Sequence, residues 1–409
     1  MSNYLENLFI NEAKPALRAK NCSGSGGSGG VTIKNQDKTI TENGTYSADK
    51  GFTGLGNVTV DVKAIEDNTL LYSIIDGSVE SINCDVETIG EDAFNGKTGL
   101  KSISFPKATT IKSDAFNGCT ALVEIDLPLA NTATTSTNSI FKGCTSLKTA
   151  TLPSVTGNTN SLFYNCKALE YVDLPETTQL NQYCFKNCES LKAWNLPKVK
   201  SISEQAFYGC TAIESVDFPN VTILGSNVTY NAQQCFEYCT SLKTANFPKA
   251  TNINYGVFEE CSALESVNFP LATVIAKNAF NDCSKLVTVN APLVSSVGMQ
   301  SFYNCESLQI LDLPSLTSID STKSFYNCVT LIAFVLRNTE NVCTLADKNA
   351  FTLTPIASGT GYIYVPSVLI EDYKAATNWS TYAAQFRALE DYTVDGTVTG
   401  ALDETKISA

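Results

Sequence analysis

The chain of 409 residues contains no histidine. That absence removes the usual general base, the commonest zinc ligand and every Ser-His or Cys-His nucleophile pair. Charge is scarce as well, at 17% of residues, and its balance is acidic: 28 Lys plus Arg against 41 Asp plus Glu leave a formal charge of −13. Such a field repels phosphate backbones and anionic membrane surfaces, so nucleic acid is not an expected partner. No window approaches the roughly 18 uninterrupted apolar residues of a membrane span, and membrane insertion is not expected. Phosphate-loop, calcium-loop and close C-x-x-C patterns are also missing, so neither a cofactor nor a metal is expected. Hydrophobic residues still make up 43% of the chain, enough for a sizeable core.

What the sequence does have is a repeat. From about Leu70 to Leu336 an F-x-x-C anchor recurs, first as Phe94 with Lys97 in the cysteine's place. Ten full copies follow: Phe116 with Cys119, then Phe141/Cys144, Phe163/Cys166, Phe185/Cys188, Phe207/Cys210, Phe236/Cys239, Phe258/Cys261, Phe280/Cys283, Phe302/Cys305 and Phe325/Cys328. Successive phenylalanines lie 22, 25, 22, 22, 22, 29, 22, 22, 22 and 23 residues apart. That is the period of leucine-rich repeats. After each anchor comes L-x-x-I-x-L-P or a variant, such as Leu122, Ile125, Leu127 and Pro128, whose alternation predicts one short strand per coil, ended by Pro. A following A-T-x-I segment, such as Ala108, Thr109 and Ile111, leads to the next turn, where Phe and Cys fill the interior. Stacked coils make a parallel sheet over a continuous core, each coil touching its neighbours.

Fifteen cysteines would suit a disulfide scaffold, but ten of them share one repeat position. In-register parallel coils hold equivalent Cβ atoms near ~4.8 Å apart, beyond the roughly 3.8 Å that a disulfide prefers. They are expected to be reduced, buried, small apolar side chains with a weak S–H donor.

The repeat resembles the BspA-like class of leucine-rich repeats, whose unit reads approximately A-F-x-G-C-x-x-L-x-x-I-x-I-P. The resemblance implies an α/β-type repeat solenoid over 65–336, with a parallel sheet on one face. A cap is expected over 337–392, followed by a loose tail, 393–409. The run V-P-S-V-L-I-E-D-Y-K-A-A-T-N-W-S-T-Y from Val365 resembles the C-terminal caps of that class. Within it Ser367 is placed to cap a helix reaching about Thr377, with a second helical stretch from Ser380 to about Leu389. Tyr373, Trp379, Tyr382 and Phe386 are expected to form the cap core. Two insertions stand out: Leu129 to Ile140, and Val221 to Cys235 with Gly225, Asn227 and Tyr230. They are either tolerated surface drift or binding loops, Asn227 and Tyr230 being the candidates.

Ahead of the solenoid, residues 1–21 read as a short amphipathic anchor with Leu5, Leu8, Phe9 and Ile10 as its docking residues, and without the features of an export signal. Residues 22–30 are a Gly/Ser linker. Residues 31–64 read as a small β module with a turn at Glu42-Asn43-Gly44. Its strings T-I-T-E-N-G-T-Y and V-T-V-D-V are similar to a module of virion proteins, tail proteins included, of phages infecting Gram-positive gut bacteria, and of some surface proteins of those hosts.

Two columns of strand residues point out of the sheet. One contains Ser104, Asp126, Thr151, Asp173, Asn195, Asp217, Asn246, Asn268, Asn290 and Asp312; the other runs from Ser102 and Glu124 through Tyr171 to Ile310. Glu124, Asp126, Tyr171, Asp173, Asn195, Asp217, Asn246, Asn268, Asn290 and Asp312 are the candidate ligand-binding residues. Their carboxamides and carboxylates suit sugar hydroxyls or a basic protein segment; the competing reading is a solvated face whose short polar groups prevent association. Glu124 and Asp126 lie roughly 6–7 Å apart by strand rise, in the neighbourhood of a glycosidase pair. Nothing else in the sequence supplies a pocket or an aromatic platform beside them, and no catalytic residue is assigned.

The order of anchor, linker, module, rigid solenoid and cap reads as a display arrangement. The expected protein is a non-enzymatic phage virion component, a tail or head fibre or decoration, assembled in the host cytoplasm. An assembly protein would hold residues 1–21 while the solenoid binds a host surface protein or glycan. The alternatives are a bacterial BspA-like surface adhesin and a purely architectural capsid decoration. A homo-oligomer is compatible with the sequence, although no heptad stretch forces one.

Overall fold

The computed structural model describes residues 87–132, 138–225, 234–320 and 322–391. It also describes the backbone of five short strands, Val31–Lys34, Thr45–Ser47, Gly51–Thr53, Val58–Val60 and Ser81–Asn83. The chain divides into two compact units, Met1–Lys198 and Val199–Ala409.

In the first unit, three-residue strands Glu124–Asp126, Thr149–Thr151, Tyr171–Asp173 and Ala193–Asn195 pair in parallel and in register. The middle residue of each pairs with its counterpart, Ile125 with Ala150, Ala150 with Val172 and Val172 with Trp194. Ile125, Ala150 and Val172 are buried while their flanking neighbours are not. Ser81–Asn83 pairs in parallel with Ser102–Ser104. Val31–Lys34 lies antiparallel between Ser81–Asn83 and Val58–Val60. The module read from the sequence as a separate piece therefore covers the sheet edge at the first coil, where backbone groups would otherwise stand open.

The second unit repeats the pattern in two four-stranded parallel sheets. One joins Ser215–Asp217, Thr244–Asn246, Ser266–Asn268 and Thr288–Asn290. The other joins Ile310–Asp312, Ala333–Val335, Tyr362–Val365 and Phe386–Ala388.

Most coils contribute more than the single strand expected. The A-T-x-I segments form a second parallel ladder of two-residue strands. In the first unit these are Thr88–Ile89, Thr110–Ile111 and Asn131–Thr132, which pair in sequence, and Gln179–Leu180. In the second, Ser201–Ile202 pairs with Ile223–Leu224, and a longer run goes from Asn252–Ile253 through Val274–Ile275, Ser296–Val297 and Ser318–Ile319 to Thr344–Leu345. Two residues suffice because the coil above supplies the partner and the apolar member, such as Ile111 or Ile275, drops into the core.

The phenylalanines stack coil upon coil. Centroids of Phe94, Phe116, Phe141, Phe163 and Phe185 are spaced 5.0, 5.5, 5.6 and 5.6 Å with rings within 11° of parallel. Phe207 to Phe351 continues the motif through the second unit. The cysteine beside each ring has a definite task. Phe116 carbonyl oxygen accepts the Cys119 N–H at 3.1 Å from its own turn and the Cys144 thiol at 3.2 Å from the next coil. Equivalent thiol bonds run from Cys166 to Phe141 and, in the second unit, from Cys261 to Phe236, Cys283 to Phe258 and Cys305 to Phe280. A buried carbonyl keeps both lone pairs occupied, and cysteine is the small apolar side chain that can also donate. The thirteen described cysteines are all buried and none is in a disulfide; Cys22 and Cys84 lie outside the described residues.

The turn between ring and thiol needs a left-handed residue. Gly118 (φ 73°) fills it in one coil and Asn165, Asn187, Asp282, Asn304 and Asn327 fill it in others, side chains that tolerate this backbone.

At the C-terminal end, a helix Pro355–Ser358 is capped by Thr354, whose hydroxyl accepts the Ala357 N–H at 3.2 Å. Tyr373 and Trp379 are fully buried and close the last coil through Cys343: its N–H donates to the Tyr373 hydroxyl at 2.9 Å and its carbonyl accepts the indole N–H at 2.6 Å. Two expectations change here. Ser367 does not cap a helix; it opens a 3-10 turn, Ser367–Leu369, ahead of the helix Ile370–Ala375, and donates its N–H and hydroxyl to Glu390. The second helical stretch is 3-10 only over Trp379–Gln385, after which Phe386–Ala388 is a strand. Pairing with the edge of Tyr362–Val365 supplies hydrogen bonds that a short surface helix would leave unmade, and this outweighs local propensity.

Candidate ligand-binding face

The alternation of the three-residue strands decides which side chains reach solvent. In the first unit Glu124, Asp126 and Asn195 are exposed, Tyr171 is 38% exposed, and Asp173 is half-buried. Asn195 donates its amide to the Asp173 carboxylate at 2.7 Å. Glu124 and Asp126 stand exposed on one face of the strand.

The second unit shows what the carboxamides do. Asn246 donates to Asp217 at 2.8 Å, Asn268 to Asn246 at 2.7 Å, and Asn290 to Asn268 at 2.6 Å. Parallel registration places these residues directly opposite one another. Each amide can donate two hydrogens and its oxygen can accept two. Within the ladder Asn246 and Asn268 spend one of each, so each keeps one donor and one acceptor outside it. The strand spacing of ~4.8 Å repeats this pair along the sheet.

The sequence reading placed Asp312 in the same column. The structure puts it in a two-pronged ion pair: Arg337 Nε donates to both carboxylate oxygens at 3.1 and 2.9 Å, and Nη2 to Oδ2 at 2.6 Å. Only 5% of the Asp312 side chain is exposed. Its partner is 25 residues away, beyond the strand pattern that the sequence displays. Asn227, Tyr230, Leu5, Leu8, Phe9 and Ile10 lie outside the described residues.

The column also continues further than the sequence suggested. Tyr362 follows Ala333 and Tyr364 follows Val335 in register, so both tyrosines belong to the outward columns. Arg387 follows Tyr364 and lays its guanidinium over the Tyr362 ring at 4.2 Å from the centroid. Extending the two columns through the degenerate last coil would have found them, since Tyr362-Ile363-Tyr364 keeps the same alternation.

Among the described residues no group of three or more Cys, Asp or Glu side chains is arranged to hold a metal ion. Nor is any described helix long and apolar enough to cross a membrane.

The family model described as BspA type leucine rich repeat region matches in six copies, over residues 64–191, 158–287 and 251–360. The chain belongs to this family. A leucine-rich repeat protein from Bacteroides ovatus shares the fold: 22% identity, TM-score 0.57, covering 87% of this chain and 98% of that one. A leucine rich cell surface protein from Faecalibacterium prausnitzii is 21% identical over 83% of this chain and 95% of that one, with TM-score 0.40. No curated protein matches the chain. In BspA-type terms, the F-x-x-C turn supplies the stacked rings and thiols, and the I-x-L-P strand supplies the outward columns.

Proposed function

We propose that the protein is a non-enzymatic binding scaffold whose outward strand face engages a cell-surface ligand rich in hydroxyl groups. The observation that carries this reading is the amide ladder of Asn246, Asn268 and Asn290. A hydroxyl is both donor and acceptor, and the ladder offers one donor and one acceptor at each coil in a fixed array. With no histidine, and with Glu124 and Asp126 on an open face, the residues lack the enclosed acid and base of a hydrolase.

Two settings are distinguished by particular features. The T-I-T-E-N-G-T-Y and V-T-V-D-V strings behind an amphipathic start favour a phage virion, in which residues 1–21 dock on an assembly protein and the solenoid reaches the host. Membership of the BspA-type family favours a bacterial surface adhesin. Antibody labelling of purified virions supports the first, and labelling of envelopes in uninfected cultures supports the second.

The face itself is tested by substitution in the full chain. Asn246→Arg combined with Asn268→Arg is expected to weaken binding to target cells about tenfold or more, a loss of roughly 1.4 kcal/mol or greater. Lys285→Gln, an exposed change on the Phe–Cys turn side, should leave it unchanged. Flow cytometry with labelled protein reads both, and circular dichroism verifies that each variant is folded. Equal binding by the double variant would refute the role of this face; binding by none of the proteins would leave a purely architectural decoration.

A further inference from the structure

The chain has only three arginines, Arg18, Arg337 and Arg387. Two of them sit on the last sheet of the second unit, beside the tyrosines that end its outward columns. Their situations differ. Arg337 is committed to Asp312. Arg387 is exposed, and among the described residues no carboxylate lies within ion-pair distance of it. In a chain of charge −13, a cation kept away from carboxylates is a departure that calls for a reason.

The Arg387 guanidinium is held in place without being neutralised. Nη1 donates to the carbonyls of Ala384 at 3.0 Å and Phe386 at 2.8 Å, while the plane rests on Tyr362. Among the described residues no group accepts from Nε or Nη2, the side of the fork that binds a carboxylate with two parallel bonds. Tyr362 and Tyr364 stand at 73° with centroids 6.5 Å apart, giving one ring face and one ring edge beside the cation. Both rings are half-buried. Burial raises the Tyr364 hydroxyl above its ordinary range, with Arg387 opposing the shift, so the two groups share one electrostatic environment. The members of the columns next to the tyrosines, Ala333 and Val335, are apolar and only 4% and 0% exposed.

We infer that Tyr362, Tyr364 and Arg387 form a subsite for a carboxylate-bearing sugar of an acidic polysaccharide. The inference rests on the binding-face reading and names the ligand chemistry at one end of it. The aromatic surface packs against the apolar C–H face of a sugar ring, and the guanidinium fork takes its carboxylate. Neutral hydroxyls of adjoining sugars fall to the carboxamides, and the acidic remainder of the chain makes Arg387 the point on which an anionic polymer depends. A peptide carboxylate would satisfy the fork but make no use of the rings.

The test is affinity electrophoresis of the full chain through gels containing polygalacturonate, its methyl ester, dextran or polyglutamate. Retardation is expected in polygalacturonate alone. It should fall about tenfold for Arg387→Gln and partly for Arg387→Lys, which keeps the charge and loses the fork. Lys374→Gln, at a lysine paired with Glu371, should migrate as the parent does. Thermal melts verify that each variant is folded, and Arg387→Lys supplies the comparison if Arg387→Gln is not. Equal retardation by dextran, by the ester or by polyglutamate overturns the subsite, as does indifference to both Arg387 changes. Absence of retardation while the parent still binds cells overturns the subsite and spares the binding face; failure of the parent to bind cells overturns the face.

Discussion

Phe258→Ala is expected to destabilise the second unit by about 3–5 kcal/mol, the upper range for truncating a buried aromatic residue. The ring is fully buried. It stacks on Phe236 and on Phe280, each at 5.7 Å, and meets Phe269 edge-on at 6.0 Å. Removing it empties a site that the rings above and below cannot fill, because each is held by a backbone bond to the adjacent coil, Phe236 N–H to the Val257 carbonyl at 2.9 Å and Phe280 N–H to the Ser301 carbonyl at 2.8 Å. Each lost aromatic pair adds about 0.5–1.5 kcal/mol beyond the area term. In a stack of coils coupled through nearest neighbours, a mid-ladder cavity also weakens the coupling on both sides. Against a typical stability of about 5–15 kcal/mol, the urea midpoint should fall markedly. Val287→Ala, at a residue 53% exposed, should stay within about 0.5 kcal/mol. A Phe258→Ala loss under about 1 kcal/mol would contradict the ring ladder.

Alkali is expected to unfold the protein steeply. Burial raises the thiols of Cys119, Cys144, Cys166 and Cys184 in the first unit. It does the same for Cys235, Cys239, Cys261, Cys283 and Cys305 in the second, and pushes Cys343 up to about 12. The unfolded thiols ionise near ~8.5, where the native ones stay protonated. The unfolded chain then binds fewer protons, so these groups stabilise the fold fully below about pH 8.5 and progressively less as pH rises toward their native values. Each contributes a slope of about 1.4 kcal/mol per pH unit. The shifts all run in the same direction, so the loss accumulates over the thiols of each unit and is large against a typical stability of about 5–15 kcal/mol. Urea titrations at pH 8, 9 and 10 under reducing conditions measure this, and Cys261→Ala should reduce the slope by about one thiol's share. Equal stability at pH 8 and pH 10 would contradict the buried thiol ladder.

Much of this architecture is legible in the sequence because the core uses the same residue at the same phase of each coil. Phe116, Phe141 and Phe163 announce the period, and Ile125 with Leu127 announces the strand. What escaped notice depends on partners brought together by stacking. The Thr110–Ile111 ladder is two residues long and carries no periodicity of its own. Phe386–Ala388 has a helical context and becomes a strand because an edge awaits it. Arg337 reaches back over 25 residues to Asp312, and Arg387 reaches across a strand to Tyr362. The outward columns were readable one by one, whereas the direction of the amide ladder, each asparagine donating to the coil before it, required coordinates.

On the proposed reading, ligand meets the outward strand face and not the Phe–Cys turns. A photoreactive residue placed at Thr244 in that face, or at Lys285 on the turn side, measures this on intact target cells. The Thr244 protein is expected to become covalently joined to envelope material and the Lys285 protein is not. Crosslinking from Lys285 alone, or from neither position by protein that still binds the cells, would contradict it.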